Sequence, residues 1–145
     1  MNPDEILDLS AVEQRRLIGR RALSPVELMH ACIARIEALN PGVNAVCATD
    51  FDRALAAARD AEAAVTRGDA LAPLHGLPLG VKDLLDTAGL LTTCGNVAMR
   101  GYVPARDHGL VARLRAAGAI VACKTNTPDL GAGANTRNAV WGATG

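Results

Sequence analysis

The sequence predicts an α/β fold, and three observations carry that prediction. Leu77, Leu79 and Val81 alternate with Pro78, Gly80 and Lys82, the period of a strand. Ala119 to Cys123 is a second short apolar run, ending at Lys124. Between them, Leu110, Val111, Leu114 and Ala117 line one side of a helix that Asp107 or a neighbour caps and Gly118 closes. Strand, helix, strand reads as a βαβ unit with parallel strands and a right-handed crossover.

The remaining elements follow in order. Residues 4–21 read as a helical lead-in with Leu7, Val12, Leu17 and Ile18 on one face. Ser24, Pro25 and Glu27 predict a capping box that opens a helix whose apolar face is Met29, Ile33, Ile36 and Leu39. Asn40-Pro41-Gly42 predicts its end, and Val43 to Thr49 a short strand. Asp50 then caps an alanine-rich helix from Phe51 to about Arg67, closed by Gly68. Residues 69–76 are a loop, 84–96 a polar, small-residue loop after the lysine strand, 97–106 irregular, and 125–135 a loop with a short helix from Pro128; the long crossover leaves room for extra structure between Asp83 and Asp107.

Composition narrows the function. The 145 residues suit one modest domain, and half of them are hydrophobic. Zero formal net charge and no basic stripe argue against direct nucleic-acid binding. No apolar run has transmembrane length, so no membrane is expected, and the acidic start does not read as a signal peptide. Cys32, Cys47, Cys94 and Cys123 form no CxxC pair or metal-ligand spacing, so free thiols in a reducing cytoplasm are expected, with no metal and no cofactor.

The chemistry-bearing candidates are few. Thirteen arginines stand against two lysines, Lys82 and Lys124, and each lysine follows a short apolar run. Burial can lower a lysine's pKa until it acts as a base, whereas guanidinium stays charged. Lys82 falls at the C-terminal edge of its strand, where open α/β sheets place binding crevices. The alternative is a strand-end lysine that reaches solvent or Asp83. His30 and Cys32 lie in a helix with no partner at ligand spacing. Gly131-Ala132-Gly133 is too little for a phosphate loop, and a Cys94–His75 dyad is a rival that no spacing enforces. Ser10 and Ser24, the two serines, both sit at helix starts.

Several pieces join into one pattern. His75 to Asp83, then Ala88-Gly89 with Thr92-Thr93, then Ala112 to Ala119, then Lys124 to Asp129, then Trp141-Gly142, in this order and spacing, resemble the N-terminal part of the amidase signature family. The resemblance covers nearly all of the chain. It implies the N-terminal part of that fold, a mixed sheet with helices on both faces, incomplete in this chain. Residues 1–145 would be one portion of a single domain, with a helical lead-in over 1–70 and the lysine-bearing strand and βαβ region over 71–145.

The resemblance also implies hydrolysis of a carboxamide C–N bond by a Ser–cis-Ser–Lys triad, with Lys82 as the triad lysine. Leu79, Val81 and neighbouring strands would desolvate it. Both triad serines belong to a Gly/Ser-rich segment expected after Gly145, so the 145 residues alone are expected to be inactive. Gly131, Ala132 and Gly133 align with the substrate-facing loop, Thr92, Thr93 and Cys94 would line the same cleft, and Asn126 and Asp129 would fix loop geometry. The partner is a small-molecule amide, with a homo-oligomer or a missing C-terminal portion also open. Two other readings remain: the A component of an amidotransferase that works on misacylated tRNA, and a non-catalytic truncated binding module.

Overall fold

The computed structural model describes residues 2–145. The lead-in is two helices, α1 (Pro3–Leu7) and α2 (Ala11–Gly19), because two caps interrupt it. The Asn2 side chain accepts from the Asp4 and Glu5 amides while the Glu5 carboxylate accepts from the Asn2 amide, a reciprocal capping box. Ser10 Oγ accepts from the Glu13 amide and starts α2.

Helix α3 (Pro25–Val43) begins at Ser24. Ser24 Oγ accepts from the Val26 and Glu27 amides at 3.0 and 3.2 Å. The hydroxyl donates to the Glu62 carboxylate, and the predicted return bond from the Ser24 amide to the Glu27 carboxylate is absent among the described residues, so Ser24 caps α3 without a full capping box. The helix also runs past its predicted stop, with Pro41 in its last turn. Asn40 still shapes the exit, because its side chain bonds both the amide and the carbonyl of Val46, at 2.8 and 2.9 Å. Strand β1 is therefore shorter than predicted, Val46–Thr49. Helix α4 (Phe51–Arg67) follows and ends at Gly68, which has φ +81°.

Strand β2 is Pro78–Lys82, helix α5 is Gly109–Ala116 and strand β3 is Ile120–Thr125. The sheet order is β1-β3-β2. The Ile120 amide donates to the Leu77 carbonyl, and six residues further on the Asp83 amide donates to the Thr125 carbonyl. Both chains advance together, so β2 and β3 are parallel, as the βαβ reading requires. Strand β1 pairs antiparallel with β3, which makes the sheet mixed. Gly80 gives room to side chains of β3: a Cβ there would lie 3.0 Å from Thr125 Cγ2 and 3.6 Å from Cys123 Sγ.

The chain forms two compact units. The first comprises residues up to Arg35, Phe51–Leu79 and Arg113–Ala122. Its apolar cores are Ile6, Ile18, Leu23, Leu28, Val65 and Leu77, and separately Met29, Ile33, Ala54, Ala58, Ile120 and Ala122. The alanines of α4 let neighbouring side chains close on the helix, and each buried Leu or Ile contributes about 1.5–3 kcal/mol. The turn at Gly118 is tight: φ is +94°, and a Cβ would sit 2.7 Å from the His75 Cα.

The second unit comprises Ile36–Asp50, Gly80–Ala112 and Cys123–Gly145. Its interior mixes apolar residues, Val81, Leu90, Val111 and Cys123, with fully buried polar ones, Asp83, Thr87, Thr92, Thr93, Lys124 and Thr127. The stretch read as irregular over 97–106 begins with a 3-10 turn, Val97–Met99, capped by Asn96. A second such turn, Asp129–Gly131, stands where the short helix from Pro128 was expected. Strands β4 (Arg137–Asn138) and β5 (Gly142–Ala143) form a small antiparallel ribbon.

Candidate active site

Lys82 ends β2, at the sheet edge the sequence indicates. Its peptide is held on both sides. The Lys82 carbonyl accepts from the Leu85 amide at 3.1 Å, and the next amide, Asp83, donates to the Thr125 carbonyl at 2.9 Å. The side chain is exposed, and its ammonium makes no hydrogen bond or ion pair among the described residues. The expected desolvation of Lys82 is therefore absent here. The period of the strand explains this: Val81 is buried on one face, while Lys82 shares the other with Gly80, also exposed.

Asp83, one residue on, is buried and accepts only from uncharged donors. Its Oδ1 takes the Thr93 amide at 3.0 Å. Its Oδ2 takes the Thr93 hydroxyl at 2.6 Å and the Trp141 indole N–H at 3.1 Å. The indole N–H is shared with Thr93 Oγ1 at 2.9 Å, and that oxygen also accepts from the Gly95 amide. A carboxylate, a hydroxyl and an indole thus close a small network directly behind Lys82.

Lys124 is the lysine that the fold seals. Its ammonium donates to the Leu85 carbonyl, to Thr87 Oγ1 at 3.0 Å and to Thr92 Oγ1 at 3.1 Å. These oxygens satisfy its three donors. Burial lowers its pKa, against a smaller opposing pull from Asp83. Lys124 therefore ties the 84–92 loop to the end of β3. Thr92 and Thr93, expected to line a cleft, instead face inward onto Lys124 and Asp83.

Asn126 and Asp129 do fix loop geometry. Asn126 Nδ2 reaches the Asn44 carbonyl at 3.3 Å and Thr144 Oγ1 at 3.1 Å, and its Oδ1 accepts from the Thr127 amide and from Asn138 Nδ2. Asn138 Oδ1 in turn accepts from the Val140 and Trp141 amides, which seats the indole. Asp129 accepts from Asn96 Nδ2 at 2.9 Å. Gly131, Ala132 and Gly133 are exposed, and a Cβ on Gly131 would lie 2.7 Å from Leu84 Cδ1.

The rival nucleophile has little behind it. Burial pushes the Cys94 thiol up, with Asp83 and Asp86 adding to the shift. His75 Nε2 is engaged with the Ala61 carbonyl at 2.9 Å. Cys47 is further from reactivity still, its thiol pushed up by burial to about 12. Ser10 and Ser24 are both spent as helix caps. The sequence flagged Lys124 without a role and treated Trp141 only as part of a motif. Asp83 entered only as the end of a motif and as a possible partner for Lys82, and Asn44 and Asn138 carried no signal beyond being polar residues near turns.

Comparison with known proteins gives a consistent picture. A family model described as Amidase matches residues 27–145. The A subunit of the glutamyl-tRNA(Gln) amidotransferase of Acidothermus cellulolyticus is 37% identical over 140 residues, which is 97% of this chain and 28% of that protein. Among solved structures, a fatty acid amide hydrolase superposes with a TM-score of 0.90 at 26% identity, over 98% of this chain and 25% of its own. A bacterial aryl acylamidase of the amidase signature enzymes superposes with a TM-score of 0.88 at 27% identity, over 94% of this chain and 29% of its own. The chain spans about 28% of the length of the curated relative.

Proposed function

The chain belongs to the amidase family, and on that premise we propose that it supplies the proton-accepting lysine, Lys82, of an enzyme that cleaves carboxamide C–N bonds. The observation that supports this reading is the presentation of Lys82. Its backbone is pinned on both sides, while its ammonium stands exposed and unpartnered among the described residues.

In this reading Lys82, neutral in the working enzyme, accepts a proton from a bridging serine, which takes one from a nucleophilic serine. The alkoxide adds to the amide carbon, and the C–N bond breaks as the leaving nitrogen gains a proton. Water then hydrolyses the serine ester and releases the acid. Ser10 and Ser24 cap helices, so both reacting serines would come from outside these 145 residues. Gly131, Ala132 and Gly133 would leave room for the acyl group, and the substrate is a small-molecule amide.

The test is ammonia release from a panel of primary carboxamides by the protein translated from the complete reading frame that contains this chain. Activity lost in Lys82→Ala at unchanged thermal stability is the expected result. Full activity in that variant would sink the proposal. A second reading, the A component of an amidotransferase, is favoured by the identity to the Acidothermus cellulolyticus protein. Ammonia release that needs added partner proteins and ATP would select it.

A further inference from the structure

We propose that Trp141 is a positioning residue for Lys82, acting through the indole N–H that it shares between Asp83 and Thr93. This rests on the reading of Lys82 as the proton acceptor. The geometry is specific to an indole. Nε1 lies 3.1 Å from Asp83 Oδ2 and 2.9 Å from Thr93 Oγ1, and a phenyl ring at this position would offer no donor to either. The indole is itself held from its own backbone. The Trp141 amide donates to Asn138 Oδ1 at 2.7 Å, and the Trp141 carbonyl accepts from Asn44 Nδ2 at 2.7 Å.

The chain of attachment then runs one way. Asn138 and Asn44 fix Trp141, Trp141 and Thr93 fix the Asp83 carboxylate, and Asp83 shares its peptide with Lys82. The Lys82 side chain has no anchor of its own among the described residues, so its aim depends on how firmly that peptide is set. Trp141 lies 58 residues from Asp83. It therefore joins the lysine strand to the segment that, in the proposed enzyme, lies on the same side in sequence as the reacting serines. A small error in where a reacting group points is costly: about 1 Å of misplacement lowers turnover on the order of 100-fold.

The experiment uses Trp141→Phe in the protein from the complete reading frame, assayed with the same carboxamides beside Lys82→Ala. The expected result is a kcat about 10- to 100-fold lower with KM within about twofold. A Lys82→Ala variant that keeps full activity would strike the underlying reading instead. An inactive Lys82→Ala beside a Trp141→Phe of unchanged kcat would overturn the positioning role alone. If Trp141→Phe does not fold, or no carboxamide turns over, amide hydrogen exchange in the protein from the complete reading frame carrying Thr93→Val decides. The Asp83 and Leu85 amides should exchange about tenfold faster or more, with the α4 amides unchanged. Unchanged protection at both would refute the attachment.

Discussion

Asp83→Asn tests how the end of β2 is held, and its cost can be worked from the bonds. The carboxylate accepts from three donors: the Thr93 amide, the Thr93 hydroxyl and the Trp141 indole. An asparagine offers one oxygen and one NH2 group. If its oxygen keeps the Thr93 amide, the NH2 meets the hydroxyl and the indole N–H, and the indole retains only Thr93 Oγ1. If the side chain flips, the NH2 meets the Thr93 amide and a buried backbone donor is orphaned. Either way, bonds to a charged acceptor worth about 1.5–3 kcal/mol each are lost. Part returns because a buried charge no longer has to be desolvated. A net loss of about 2–4 kcal/mol is expected, a fall in Tm of about 5–15 °C for a chain of this size. Urea unfolding is the assay, followed by the emission of Trp141, the one tryptophan of the sequence, and by circular dichroism. A loss below about 0.5 kcal/mol, the range of an ordinary surface substitution, would refute the network as an anchor.

Two further predictions concern other parts of the fold. Gly118→Ala combines a left-handed backbone with a Cβ 2.7 Å from the His75 Cα, and should cost about 3 kcal/mol in urea unfolding. Gly101→Ala, where a Cβ would meet nothing within 4 Å, is its control and should stay within about 0.5 kcal/mol. Lys124 gives an alkaline signature. Its folded pKa lies below the ordinary 10.5, so between those two values the unfolded chain binds the proton more readily than the folded one. Stability from this group therefore rises with pH through that window and levels off above 10.5. The difference in unfolding free energy between the wild type and Lys124→Met, measured from pH 7 to 10.5, should change in that direction. A difference independent of pH would contradict the burial of the ammonium.

Much of the fold was legible because local rules carried it. The period-two pattern placed β2, Ser24 marked the start of α3, and Gly68 and Gly118 marked two ends. The extension of α3 past Pro41 was not legible, since it depends on Asn40 meeting Val46 across the turn. The two lysines were indistinguishable by local pattern, because both follow apolar runs. What separates them is distant: Leu85, Thr87 and Thr92, 32 to 39 residues before Lys124, fold over one and not over the other. Trp141 was a lone aromatic in a small-residue stretch, and nothing near it in sequence announces Asp83 as its partner.

The contrast between the two lysines reaches into practical chemistry. Lys124 has its donors filled and no path to solvent, so amine-directed reagents cannot enter there while the fold holds. Lys82 is exposed. A chain with two lysines thus behaves toward an active ester as a chain with one, its α-amino group apart. A fluorophore, a crosslinker or a solid support would attach at the end of β2 by default, without engineered residues. Any unfolding that bares Lys124 would announce itself as a second labelled side chain in the mass spectrum.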